Sequence, residues 1–293
     1  MSVAILSRTF LINSHMTNTK LILVFILFTS LIFSCTQKEK ANEETEETKT
    51  SEDAPDNASV FMQYSNAKKM KEIDDRIVSS QRVESLSWEK QTANHGSEFI
   101  EVVAYLNEDG FPMKITEYFV EGNFQPSGQR HYYLENKKLI AFQENSDIWV
   151  DSNFTKYVEK RTVYNDSKPV ISQLRSANEF TEIKDSMWKI IPEEHHSLER
   201  VNKILTGTGE FETHFISVIK GESLFLLLGE NKTQKEERYT TALRVDEKSP
   251  FIEDLLNNLE KYKFKPVIVN FEVVGGNNQP EFRVLTNIAW KNQ

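Results

Sequence analysis

Residues 132–145 read YYLENKKLIAFQEN, two apolar runs around a polar turn. The arms Arg130–Leu134 and Leu139–Gln143 carry aromatic and aliphatic residues, and Glu135–Lys138 supplies the turn, so the stretch reads as a β-hairpin. The same form stands on either side. Residues 104–119 read AYLNEDGFPMKITEYF and residues 162–176 read TVYNDSKPVISQLRS. Each has an aromatic residue, a polar turn and an apolar strand. Their tyrosines, Tyr105, Tyr133 and Tyr164, recur at spacings of 28 and 31 residues, a short internal repeat. Asp109-Gly110 is a hairpin dipeptide. Further strands are expected at Glu98–Leu106, Pro112–Val120, Tyr157–Tyr164 and Val170–Leu174. The expected product is an antiparallel β-meander, which must bury at least one face.

The cover for that face is expected just upstream. Over residues 59–83, Phe61, Tyr64, Met70, Ile73 and Ile77 recur at helical spacing with Lys68, Lys69, Lys71 and Asp75 between them. Asn57 and Ser59 suit the N-cap. Downstream, residues 178–205 read as a helical connector: Phe180, Ile183 and Trp188 share a face, Pro192 interrupts, and Leu198, Val201 and Leu205 resume. Gly207 and Gly209 mark a boundary. Residues 206–293 then show strands at Glu210–Val218, Ser223–Leu228 and Tyr239–Val245, a helix at Pro250–Tyr262, and strands at Pro266–Val274 and Phe282–Trp290. Pro250 suits a first helical turn behind a Ser249 cap. Three strands, a helix and two strands is the order of a five-stranded OB barrel. The closing pair, PVIVNFEVVGGNNQPEFRVLTNIAW, resembles the last hairpin of OB-folds. The expected fold is thus α+β and β-rich: an N-terminal helix packed on an antiparallel β-meander (59–177), a helical connector (178–205), and an OB-like barrel (206–293).

Composition narrows the function. The chain has 293 residues, 39% hydrophobic and 27% charged, as in soluble globular proteins. One cysteine excludes a disulfide framework and a Cys-based zinc site. A net charge of −9 argues against a general nucleic-acid binder.

The N-terminus carries an address. Residues 21–33, LILVFILFTSLIF, follow Lys20 and have the length of a signal-peptide h-region rather than of a membrane span. Leu31-Ile32-Phe33-Ser34-Cys35 resembles the lipobox of bacterial lipoproteins, which implies cleavage after residue 34 and acylation of Cys35. Met16 would start a signal of conventional length. Two or three acyl chains hold a soluble domain stably at a membrane, whereas one holds it weakly. Residues 36–58 contain three lysines and eight acidic residues, a net of −5, and no large apolar side chain. Residues 35–58 are therefore expected to form a disordered acidic tether behind the lipidated cysteine. An acidic stalk of this kind resembles the surface-export signals of Bacteroidetes lipoproteins. The hairpin Arg130-His131-Tyr132-Tyr133-Leu134-Glu135-Asn136-Lys137-Lys138-Leu139-Ile140 resembles a repeat found in uncharacterised lipoprotein domains of the same phylum. Arg161-Thr162-Val163-Tyr164-Asn165-Asp166-Ser167-Lys168 is a poorer copy. That resemblance implies a fold and an envelope compartment, and no activity.

No nucleophile elbow, P-loop or dinucleotide fingerprint is present. Glu193-Glu194-His195-His196 lacks the i, i+4 spacing of a zinc helix and reads as a solvated helix start, and His95, His131 and His214 stand alone in sequence. No metal or cofactor is expected. The strands that bind ligands in OB-folds are SLFLLLG and YTTALRV here, and residues 206–293 carry a net of −2, which disfavours nucleic acid. Phe225 on the first of these strands reads as core or as a contact. Phe124 in EGNFQPSG and Trp149 in NSDIWVD are further candidate partner contacts. The expected role is non-enzymatic binding or scaffolding of an envelope protein or glycan by a membrane-anchored lipoprotein. An enzyme or accessory module acting on glycans, and an inhibitor of a foreign hydrolase, are the alternatives. Ligand, membrane leaflet and oligomeric state are not encoded in any motif.

Overall fold

The structure, a computed structural model, describes residues 57–92, 96–123, 125–151, 154–232, 238–276 and 279–291. The signal segment, Cys35, the acidic stretch to residue 56, His95 and Phe124 lie outside the described residues.

Six long strands and one shorter one build the meander: β2 (Trp88–Thr92), the short one, then β3 (Gly96–Leu106), β4 (Pro112–Val120), β5 (Ser127–Glu135), β6 (Lys138–Asp151), β7 (Phe154–Asn165) and β8 (Lys168–Ala177). Each pairs antiparallel with the next. The β5–β6 and β7–β8 turns use the same backbone device. Asn136 and Lys137, then Asp166 and Ser167, hold φ of 50°, 64°, 46° and 65°. Two consecutive left-handed residues match the twist of the flanking strands. The β3–β4 turn is longer. Asn107 Oδ1 accepts from Asp109 N and Phe111 N, and Gly110 supplies φ of 80°.

The repeated tyrosines are not equivalent. Residues 136–137 and 166–167 superimpose as turns 30 residues apart, whereas Tyr133 and Tyr164 lie 31 apart. A slip of one residue moves a side chain to the other face of a sheet. Accordingly Tyr133 joins one core cluster, and Tyr164 joins the other with Tyr132 and Phe142.

Both faces are covered. On one, α1 (Asn57–Phe61) and α2 (Ser65–Arg76) set Phe61, Ala67, Met70 and Ile73 against Met113, Tyr133, Ile140, Ala141, Val163 and Ile171. The expected single helix over 59–83 is thus corrected. It is interrupted at residues 62–64, ends in a 3-10 turn at Ile77–Ser79, and gives way to β1 (Gln81–Glu84), which pairs with β3. Ile77 supplies only marginal packing and the apolar spacing lapses beyond it. The helical connector at 178–205 is also corrected. Residues Phe180–Glu182 form a 3-10 turn, Lys189–Ile191 form β9 on the edge of β8, and only α3 (Glu199–Thr206) is helical. Pro192 stops a helix but not an edge strand. The α3 helix puts Val201 and Ile204 onto the second face and closes on Gly207 at φ of 59°.

The remaining strands are β10 (His214–Lys220), β11 (Leu224–Gly229), β12 (Thr240–Val245), β13 (Val267–Gly276) and β14 (Gln279–Trp290), with α4 (Pro250–Asn257) and α5 (Leu259–Tyr262) between β12 and β13. Ser249 caps α4 by accepting from Ile252 N. β10, β11 and β12 form an antiparallel meander, β13 pairs with β14, and β14 lies parallel to β12. A bridge between His214 and Pro266, with Phe215 N donating to Lys265 O and Val267 N to Thr213 O, joins β10 to the start of β13. β12 also meets β2 through Thr240 and Glu89, so the fourteen strands of the described residues form one sheet. Trp88 of β2 packs edge-on against Phe211, which contacts Tyr239.

A Cβ at Gly128 would drive into the carbonyl of Asn145 on β6. Gly128→Ala is expected to lower stability by about 1–3 kcal/mol through overpacking, read as a shift of the urea midpoint at unchanged slope.

Candidate functional site

On the α3 face, β4, β5, β6 and β7 place Glu117, Arg130, Glu144 and Lys160 in register, one charge per strand. Opposite charges facing each other across strands stabilise the sheet. Glu117, at the β4 end of this row, is 1% exposed. Burying a carboxylate demands cations and donors around it. Tyr132 Oη donates to Glu117 Oε2 at 2.9 Å, and the guanidinium nitrogens of Arg130 and Arg200 approach Oε1 at 3.6 and 3.8 Å. Arg130 also holds Glu144 at 2.8 Å and Glu121 at 2.7 Å, and its guanidinium lies 3.8 Å over the ring of Phe119. Burial opposes charge on Arg130, but the hydrogen bond to Glu144, the charge of Glu117 and the bond to Glu121 outweigh it and raise its pKa. Burial and the Glu117 charge push the Tyr132 phenol well above the usual range.

The chain of contacts continues from α3. Arg200 donates to Tyr239 Oη at 3.3 Å, Tyr239 Oη donates to Glu98 Oε2 at 3.0 Å, and Lys90 lies 3.8 Å from the same oxygen. Burial raises the Tyr239 pKa to about 12, with Arg200 opposing and Glu98 assisting. At the outer end of this chain, Glu98, Glu121, Gln125 and Arg200 line an open cavity of about 260 Å³.

His196 lies beside the network rather than at a solvated helix start. Its ring stacks on Phe142 at 3.5 Å, and its backbone N–H donates to Tyr164 Oη. Burial lowers its pKa to about 4. His131, on the opposite face, sits 3.1 Å from Thr116 Oγ1, and burial with the Lys114 charge lowers its pKa to about 3. Among the described residues no group of three or more His, Cys, Asp or Glu is arranged to hold a metal.

The expected contact residues do not meet. Trp149 is 43% exposed near the end of β6, beside exposed Val150. Phe180 packs edge-on against Tyr157 at 5.6 Å and is itself exposed, as are Met187 and Ile190 farther along the chain. Phe225 is half-buried on β11, where Leu226 and Leu228 point inward. It stands opposite Ile219 and Arg244, and Arg244 lies 5.0 Å over the ring of Phe282 while its fork binds Asp246. The Glu117 network escaped the sequence reading. Charges inside otherwise apolar strands were its trace, and only the register shows which of them face one another. No family model matches the chain, and no curated protein or solved structure matches it.

Removing Arg130 strands Glu117, Glu121 and Glu144. Arg130→Ala is expected to cost about 3–5 kcal/mol, measured by urea unfolding. The two histidines set a pH dependence. Their folded pKa values lie below the ordinary 6.5, so between about pH 6.5 and pH 4 the unfolded chain binds more protons. Stability from this source is complete above pH 6.5 and declines as the pH falls toward the folded values. His196→Gln should flatten that decline in melts taken across the window.

Proposed function

We propose that this chain is a lipid-anchored protein of the bacterial envelope that works by binding a protein or glycan partner. Cys35 carries the anchor in this reading, and the acidic residues 36–56 separate it in sequence from α1. The partner contacts in this reading are large apolar side chains left exposed, Trp149 and Val150 near the end of β6 and Phe180 after β8, and their exposure is the observation that carries it. Aromatic side chains are enriched where proteins meet their partners. The carboxylates of the α3 face fit a binding role too, because Arg130 ties Glu121 and Glu144 into ion pairs under 3 Å.

The C-terminal strands are assigned in the same proposal to an OB-like barrel. The pairing order β10, β11, β12, β14, β13, with a return to β10 through His214 and Pro266, supports that assignment. Phe225, Arg244 and Phe282 then lie on the outer side of the barrel and form a second contact surface.

The test is a crosslinking pull-down from envelope membranes with the tagged full chain. One dominant partner, lost in Trp149→Asp, is the expected result. Hydrolysis of an envelope polymer by the purified chain, abolished by Glu121→Gln, would instead make the protein an enzyme. Cys35→Ala should move the protein from the membrane pellet to the soluble fraction, and retention in the pellet would refute the anchor.

A further inference from the structure

We infer that the cavity lined by Glu98, Glu121, Gln125 and Arg200 binds a small zwitterion, a free α-amino acid or a ligand with the same paired ammonium and carboxylate. The inference is independent of the membrane anchor and of the exposed apolar side chains.

The lining itself selects the class. Two carboxylates, a carboxamide and a guanidinium face a space of about 260 Å³. That is small for a drug-sized pocket and fits a ligand of amino-acid size. A simple anion would meet two carboxylates, and a simple cation would meet Arg200. A neutral sugar stacks its apolar face on an aromatic ring, and the four lining side chains are all polar. A ligand bearing both charges meets each group with its opposite.

Arg200 is the member with donors to spare. Arg130 binds two carboxylates at 2.7 and 2.8 Å, whereas Arg200 reaches Glu117 only at 3.8 Å and a phenol at 3.3 Å. On the other side of Arg200, the buried Glu117 Oε1 accepts no hydrogen bond among the described residues. The guanidinium is thus charged, half-exposed and held without a close carboxylate. A ligand carboxylate would complete its fork in bidentate geometry. Glu121 and Glu98 would receive the ammonium, with Gln125 closing the remaining side.

The experiment is isothermal titration of the purified full-length chain with the free amino acids. The N-acetyl and C-amide derivatives of the tightest binder follow. Saturable binding is expected, weakened about tenfold or more by either blocking group. Gln125→Ala, which removes no contact of the ion-pair network, should weaken binding at an unchanged melting temperature. Arg200→Gln should abolish it. If Arg200→Gln fails to fold, Gln125→Ala decides. No saturable heat with any amino acid, blocked derivatives that bind equally well, or unchanged affinity in Gln125→Ala would each overturn the inference.

Discussion

A carboxylate sealed inside a sheet cannot stand alone, and the packing around Glu117 follows from that constraint. Its charge is met from β5 by Arg130 and Tyr132 and from α3 by Arg200. Arg200 in turn reaches Tyr239, just ahead of β12, and Tyr239 reaches Glu98 of β3. One buried charge therefore belongs to a chain of contacts that joins a helix to strand segments more than a hundred residues apart, while Val201 and Ile204 seat that helix on the sheet. Such a network specifies position more than it adds stability, since an apolar filling of the same space is often as stable.

The hairpins were legible because their turn chemistry is local. Asn107, Gly110, Asn136 and Asp166 announce bends that the backbone then makes. Five C-terminal strands and the Ser249-Pro250 helix start were legible for the same reason. Strands β1 and β2 were missed. QRVESLSWEKQT is mostly polar, and its identity as sheet comes from partners on β3 and β12 rather than from its own letters. The edge strand Lys189–Ile191 was hidden likewise, being three residues long and supported only by β8. The binding-site candidates followed the same division. Trp149 and Phe225 could be picked out singly. The meeting of Glu117 with Arg130 and Arg200 needed cross-strand register and a helix crossing, neither of which is periodic in sequence.

The two faces of the meander are used differently. The α2 face is closed mainly by apolar packing, with Arg161 held between the rings of Phe61 and Trp188 at 3.9 Å from each. The α3 face mixes an apolar cluster with the charge row and opens at one end into the cavity. One sheet thus carries two faces of different chemistry, one sealed by apolar packing and one threaded by ion pairs.

Strand β12 has β11 on one edge, and on the other β2 near its start and β14 near its end. That fork bears on the order of folding. The hairpins from β3 to β8 close short loops and can form as the chain emerges. The contact of Glu89 with Thr240 joins residues 151 apart, and distant pairings of this kind are slow to form. Until β12 is made, β2 keeps an unpaired edge, and Trp88 waits for Phe211 and Tyr239. The nascent chain is thus most exposed to wrong pairing at the strand that its own sequence marks least clearly.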